Sequence, residues 1–166
     1  LYYIIMGAGV LPIARHNNKL YFLFGKEYGP NAKNKWSDFG GKCEKNESIF
    51  TTAVREGTEE TNGFLGSENE LRKLVSTNKI TTISTNTKEY TTYLFEIDYD
   101  EKLPHYYNNN FKFIEKNRSN IVKSDNGLYE KSEIKWFTID EIKHNKHQFR
   151  NFYKEIIYKI LTHFND

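Results

Sequence analysis

Glu56, Glu59 and Glu60 stand at i, i+3 and i+4, the spacing that places side chains on one face of a helix. Three carboxylates so close repel one another. The usual relief, a basic residue four positions on, is absent for Glu56 and Glu60, while Arg55 lies one turn before Glu59 and can pair with it. A divalent cation is the remaining neutraliser. Magnesium suits such a site: it takes a few carboxylate oxygens, several waters and the phosphate oxygens of a substrate. Manganese is the alternative. Upstream, Gly40-Gly41 lets backbone come close to a ligand and offers a carbonyl to the metal, and Glu47 is near enough to orient Arg55 or a metal-bound water. Each fragment alone is ordinary, since paired glutamates are usually solvated helix surface and paired glycines usually a turn. Together, Gly41, five residues, Glu47, seven residues, Arg55-Glu56 and Glu59-Glu60 make six positions at fixed spacing.

That pattern resembles the Nudix box, G-x5-E-x7-R-E-U-x-E-E-x-G-U with U apolar, over residues 41–63. Two positions depart from it. Gly57 stands where an apolar residue is normal; a mid-helix glycine costs roughly 1 kcal/mol against alanine and implies close packing beneath the helix. Asn62 holds the slot of the closing glycine, with Gly63 one place late, which would lengthen the helix by a residue. Trp36-Ser37-Asp38-Phe39 also replaces the frequent Phe-Pro before the two glycines. No carboxylate is replaced. The resemblance implies that Glu56, Glu59 and Glu60 are metal ligands together with the Gly41 carbonyl, and that Arg55 and Glu47 orient them. It further implies a water, activated by metal or by a carboxylate base, attacking a phosphorus of a diphosphate. Many members of the family use one more carboxylate just before a late strand bearing an aromatic; here Glu130, six before Trp136, competes with Glu133.

The implied protein is a magnesium-dependent pyrophosphohydrolase, an enzyme acting on acid anhydrides. The box does not choose the substrate. A capped RNA 5′ end, suggested because the spacing before Trp136-Phe137 and the basic insertion resemble those of decapping enzymes, stands beside dinucleotide polyphosphates, nucleoside triphosphates and inositol pyrophosphates. A catalytically silent fold that binds nucleotide or RNA as a sensor or adaptor is the contrary reading, and the intact glutamates speak against it. Lys26, Lys42, Trp36 and Tyr90 are candidate substrate contacts, the aromatics as surfaces on which a base stacks. Selectivity is expected in loops 27–35 and 100–129, where no diagnostic motif stands out.

The elements that must position these residues follow from pattern. Tyr2–Ala14 reads as a strand with a glycine bend, Asn17-Asn18 as a turn and Leu20–Lys26 as a second strand. Trp36–Lys42 is a tight segment. Ser48 is the N-cap of a helix running to about Asn62, with Ile49, Ala53 and Gly57 inward and Gly63 as its stop. Leu74–Ser84 and Tyr90–Tyr99 read as strands, and residues 100–129 as an irregular insertion with helical potential near 109–118. Glu133–Thr138 is a short strand and Asp140–Ile142 opens a turn. His147–Phe164 is an amphipathic helix with Phe149, Phe152, Ile156, Ile157, Ile160 and Leu161 inward. The order predicts one α/β domain over residues 1–166 with a mixed sheet held between helices, and the family resemblance implies an α/β/α sandwich with a catalytic loop–helix–loop.

Bulk properties narrow the setting. With 12 Tyr and 12 Phe, aromatics must fill much of the core. A net charge of +2 is too weak to argue for nucleic acid, and the basic run Lys112, Lys116, Arg118, Lys123 is either solvated or borders a phosphate groove. The single cysteine, Cys43, forms no intrachain disulfide, so a reducing, cytoplasmic setting is expected. No apolar run is long enough for a membrane helix, and the apolar start lacks the basic flank of a signal peptide. The oligomeric state is left open.

Overall fold

Asn17 and Asn18 both adopt left-handed backbone, with φ of 50° and 59°. This conformation of a two-residue hairpin turn matches the right-handed twist of the strands it joins. The computed structural model describes residues 6–29, 34–123 and 125–165. The first five residues of the chain and residues 30–33 of the loop after the second strand lie outside the described residues, as does Ser124.

The strands are β1 (Gly7–His16), β2 (Lys19–Glu27), β3 (Trp36–Ser37) and β4 (Phe39–Lys42), then β5 (Lys79–Ser84), β6 (Tyr90–Glu96) and β7 (Lys131–Thr138). Helices α1 (Ile49–Glu60) and α2 (Glu68–Asn78) separate β4 from β5. Helices α3 (Lys102–Asn117) and α4 (Ser119–Val122) precede β7, and α5 (Ile139–His144) and α6 (Lys154–His163) follow it. All seven strands form one mixed sheet. β1 runs parallel to β6; along its other edge it pairs antiparallel first with β4 over Gly7–Val10, then with β2 from Ile13. β7 pairs with β2 along its length.

Side chains alternate across a strand, so β1 feeds two cores. Leu11 and Ile13 join Phe22, Phe24, Phe137, Phe149, Tyr153 and the α6 residues Ile156 and Ile160 on one face. Ala8 and Val10 join Leu23, Ala53 and Val54 of α1, Leu71 and Val75 of α2, and Tyr107 of α3 on the other. The result is the expected mixed α/β sandwich.

Four segments differ from the sequence reading. Residues 74–78 are helix, not strand: Ser67 and Glu70 exchange side-chain and backbone hydrogen bonds in a capping box, and Leu71, Leu74 and Val75 follow at helical spacing. The insertion is not irregular. α3 places Leu103, Tyr107 and Phe111 four apart against the sheet, with Pro104 in the first turn, where its missing N–H goes unnoticed. Asn108 earns its place there by accepting from the Ile134 N–H at 2.8 Å and donating to the Ile134 carbonyl at 3.2 Å, which satisfies the edge of β7. Residues 139–144 are a short helix capped by Thr138 and Glu141 rather than a turn. Finally, the carboxy-terminal helix starts at Lys154, after two 3-10 turns at Lys146–Gln148 and Asn151–Tyr153. Those turns swing Phe152 outward, to 43% exposure, while Phe149, Ile156, Ile157, Ile160 and Leu161 are buried as expected.

Among the described residues no helix is long and apolar enough to cross a membrane.

Candidate active site

α1 begins where Ser48 accepts the Thr51 N–H, and it lies unusually close to β1 because Gly57 carries no side chain. A Cβ at Gly57 would meet Val10 Cγ2 at 2.5 Å. The helix is not lengthened at its far end. Asn62 itself takes the left-handed conformation, φ 51°, that the closing glycine of the box usually provides, and Gly63 follows at φ 73°. The Asn62 side chain gains a use that glycine lacks: its Oδ1 accepts the Tyr129 N–H at 2.9 Å and so ties down the segment bearing Glu130.

The exposed side of the glutamate face is organised by Arg55. Its Nε and Nη2 donate to the two Glu47 oxygens at 2.9 and 3.0 Å, a two-pronged bond, while Nη1 reaches Glu56 at 2.8 Å and Glu59 at 3.4 Å. Nη2 also donates to the Lys42 carbonyl at 3.1 Å, joining helix to loop. The Arg55 guanidinium holds Glu47 well below the usual carboxylate range, at about 2. Glu56 leans on Gly41 so closely that a Cβ there would overlap its carboxyl group.

The inner side is a buried charge cluster. Glu60 is 1% exposed and accepts the Gly40 N–H at 2.9 Å. Lys131, fully buried, lies 3.4 Å from Glu60 and donates to Glu27 at 2.6 Å and to Ser37 Oγ at 2.9 Å. Arg150 Nη1 donates to the same Glu27 oxygen at 3.0 Å. Burial pushes Glu60 well above the usual carboxylate range against the opposing pull of Lys131. Burial, reinforced by the charges of Glu27 and Glu56, also raises Glu130, whose carboxyl meets that of Glu60. Burial raises Glu59 as well, offset in part by Arg55. Beneath the cluster Asp38, 1% exposed, accepts from Tyr90 OH and Thr92 Oγ1, both at 2.7 Å, and burial raises it to about 6.

A cavity of about 710 Å³ opens on this cluster, lined by Glu27, Glu60, Glu130, Gly41, Lys42 and Arg150. Among the sequence candidates, Lys42 and Tyr90 line it, although the Tyr90 hydroxyl is spent on Asp38. Gly41, Glu60 and Glu130 line it too, whereas Glu47, Arg55, Glu56 and Glu59 are not part of its lining. Three further candidates lie elsewhere. Glu133 is ion-paired with Lys26, and both line a separate depression against α3. Trp36 is 4% exposed and packed edge-on against Phe137, so it offers no surface to a base. Sequence reasoning missed Glu27, Asp38, Lys131, Arg150 and Phe152. The only local hint was Asp38, whose place in the unusual stretch before the two glycines set it apart.

Among the described residues no three His, Cys, Asp or Glu side chains already close around one point. The donors nonetheless fit a hard divalent cation of the open kind that keeps waters and takes substrate oxygens. All are oxygens. Burial holds Glu59, Glu60 and Glu130 above their ordinary range. The bare Gly41 backbone also leaves room for the Glu56 carboxyl where a side chain would otherwise stand.

Comparison with known proteins bears on the family and the fold. The family model described as the NUDIX domain matches residues 5–160. A stretch of 57 residues, 32% of this chain, is 42% identical to Uncharacterized protein L534 of Acanthamoeba polyphaga mimivirus; the match spans 18% of that relative's length. Among solved structures, the C. elegans Ap4A hydrolase binary complex is 15% identical with a TM-score of 0.55, covering 97% of this chain and 98% of that one. The Francisella tularensis bifunctional NMN adenylyltransferase/ADP ribose pyrophosphatase, solved with AMP and a manganese ion, is 16% identical with a TM-score of 0.56, covering 98% of this chain and 43% of that one.

Proposed function

The chain belongs to the Nudix family, and from that premise we propose that it is a divalent-cation-dependent pyrophosphohydrolase that cleaves the diphosphate linkage of a nucleoside diphosphate joined to a further group. One observation carries the reading: Glu60 of α1, the Gly41 backbone and Glu130 of the segment before β7 line one cavity, the Glu56 carboxyl packs against Gly41, and the carboxyls of Glu60 and Glu130 sit above their ordinary range.

Glu56, Glu59, Glu60 and the Gly41 carbonyl would hold the cation. When bound, it neutralises phosphate oxygens and acidifies a water. Arg55 fixes the Glu56 and Glu59 carboxyls, and Glu47 fixes Arg55. Glu130 takes the proton of the attacking water, because it faces the cavity and Glu133 does not. The oxygen of that water bonds to phosphorus, the bridging P–O bond breaks, and two phosphorylated products leave. Lys42, at the cavity wall, suits a phosphate oxygen.

A panel of diadenosine polyphosphates, ADP-ribose, nucleoside triphosphates, capped RNA and inositol pyrophosphates, assayed with magnesium and with manganese, tests the reading. Glu59→Gln is the informative variant: its side chain is 33% exposed and stands outside the buried cluster, so the fold survives its loss. We expect kcat to fall about a hundredfold, a loss of about 3 kcal/mol of transition-state stabilisation. Wild-type turnover in that variant would overturn the metal assignment.

A further inference from the structure

Phe152 is anchored on both sides and yet faces out. Phe149 before it and Tyr153 after it are fully buried, and the Arg150 N–H donates to the Trp36 carbonyl at 2.9 Å. The 3-10 turn between them leaves the ring 43% exposed at the wall of the cavity that holds Glu60 and Glu130. The ring is also clamped. The Arg150 guanidinium lies 4.7 Å from its centroid, and Tyr90 meets it edge to face at 5.0 Å and 69°. Both clamps are fixed from below: Arg150 donates to Glu27, and the Tyr90 hydroxyl donates to Asp38. The neighbouring Thr85–Glu89 hairpin is pinned in turn, Glu155 accepting the Asn86 N–H at 2.6 Å and Lys159 donating to the Ser84 carbonyl at 2.6 Å.

We propose that Phe152 is the platform on which the substrate's nucleobase stacks, with Arg150 as the positioning residue that fixes the ring and ties it to the acidic wall. The proposal rests on the hydrolase reading for the identity of the substrate and adds a selectivity. An aromatic ring held rigid beside the phosphate-facing wall rewards a flat, polarisable base. It offers nothing to an inositol pyrophosphate, which has no aromatic ring. Thr87 of the hairpin, which also lines the cavity, offers a hydroxyl to the edge of the base.

The test compares two ligands that resist hydrolysis, α,β-methylene-ADP and methylenediphosphonate, which share the P–C–P group and differ by the nucleoside. Their affinities are measured by titration calorimetry with magnesium. Phe152→Ala should weaken α,β-methylene-ADP about tenfold and leave methylenediphosphonate within about twofold, and Phe152→Trp should restore the first. In turnover, the Phe152→Ala loss should fall on KM rather than kcat. Equal weakening of both ligands would reduce Phe152 to a structural role and overturn the proposal, as would an unchanged α,β-methylene-ADP affinity. The two readings fail separately. A wild-type protein that hydrolyses no member of the panel but binds α,β-methylene-ADP through Phe152 keeps the platform and loses the hydrolase. Intact nucleotide hydrolysis with an unchanged KM in Phe152→Ala does the reverse.

Discussion

Asp38 is a carboxylic acid shut away from water, and the two hydroxyls that donate to it do not fully repay its lost hydration, so burial lifts it to about 6. The sign of its effect on stability follows. Below about pH 4 it is protonated in the folded and the unfolded chain alike and costs nothing. Between about 4 and 6 the folded state keeps a proton that the unfolded state has released, so stability falls as pH rises; above that the penalty is constant. At about 1.4 kcal/mol per pKa unit the fall is about 3 kcal/mol. Asp38→Asn removes it. Comparing urea unfolding of the variant with that of the wild type at pH 4 and pH 7, the difference should shift in the variant's favour by about 2–3 kcal/mol. A difference that does not change with pH would show that Asp38 ionises as freely inside as out. Glu47 works in the opposite sense: held near 2 by Arg55, it stabilises the fold above its ordinary pKa, and that support drains away as pH falls toward 2.

α1 owes its seat to what it lacks at position 57. Alanine there gains roughly 1 kcal/mol of helix propensity but drives a methyl group into Val10 Cγ2 and within 3.2 Å of Leu71 Cδ2. We expect Gly57→Ala to destabilise the protein by about 1–3 kcal/mol in thermal or urea unfolding, and Val10→Ala to relieve most of that cost when the two are combined. Independent, additive effects would mean that helix and strand are not in contact there. This element was legible because its signals are local: a serine cap, glutamates on one face, a break at Asn62-Gly63. α2 was not, although Ser67 and Glu70 announce its start, because Leu74 and Val75 run into the β-branched stretch of β5 and read as one strand. In α3 the asparagine run hid the four-residue spacing of Leu103, Tyr107 and Phe111, since asparagine ordinarily favours turns. Phe152 fits an inward helical position by spacing alone; only the 3-10 turn, whose residues advance by three rather than 3.6, sends it out.

Lys131 shows why half of the site is invisible in one dimension. It joins Glu27, 104 positions earlier, and Glu60, neither of which has a basic residue at helical or strand spacing to betray the pairing. The Glu56–Glu59–Glu60 stripe is readable as a motif, whereas this cluster exists only once β2, β7 and α1 have met. Lys131→Met would leave the buried Glu60 without its cation and Glu27 with Arg150 alone, and we expect a loss of about 3–5 kcal/mol in urea unfolding at neutral pH. A variant as stable as the wild type would mean that Glu60 is already protonated.

The bond from Arg150 to Glu27 spans 123 residues. During synthesis, then, the amino-terminal hairpin leaves the ribosome long before its guanidinium partner has been translated. Until that arrives, Glu27 lacks one of its two cationic partners, and the cavity that both residues line is incomplete.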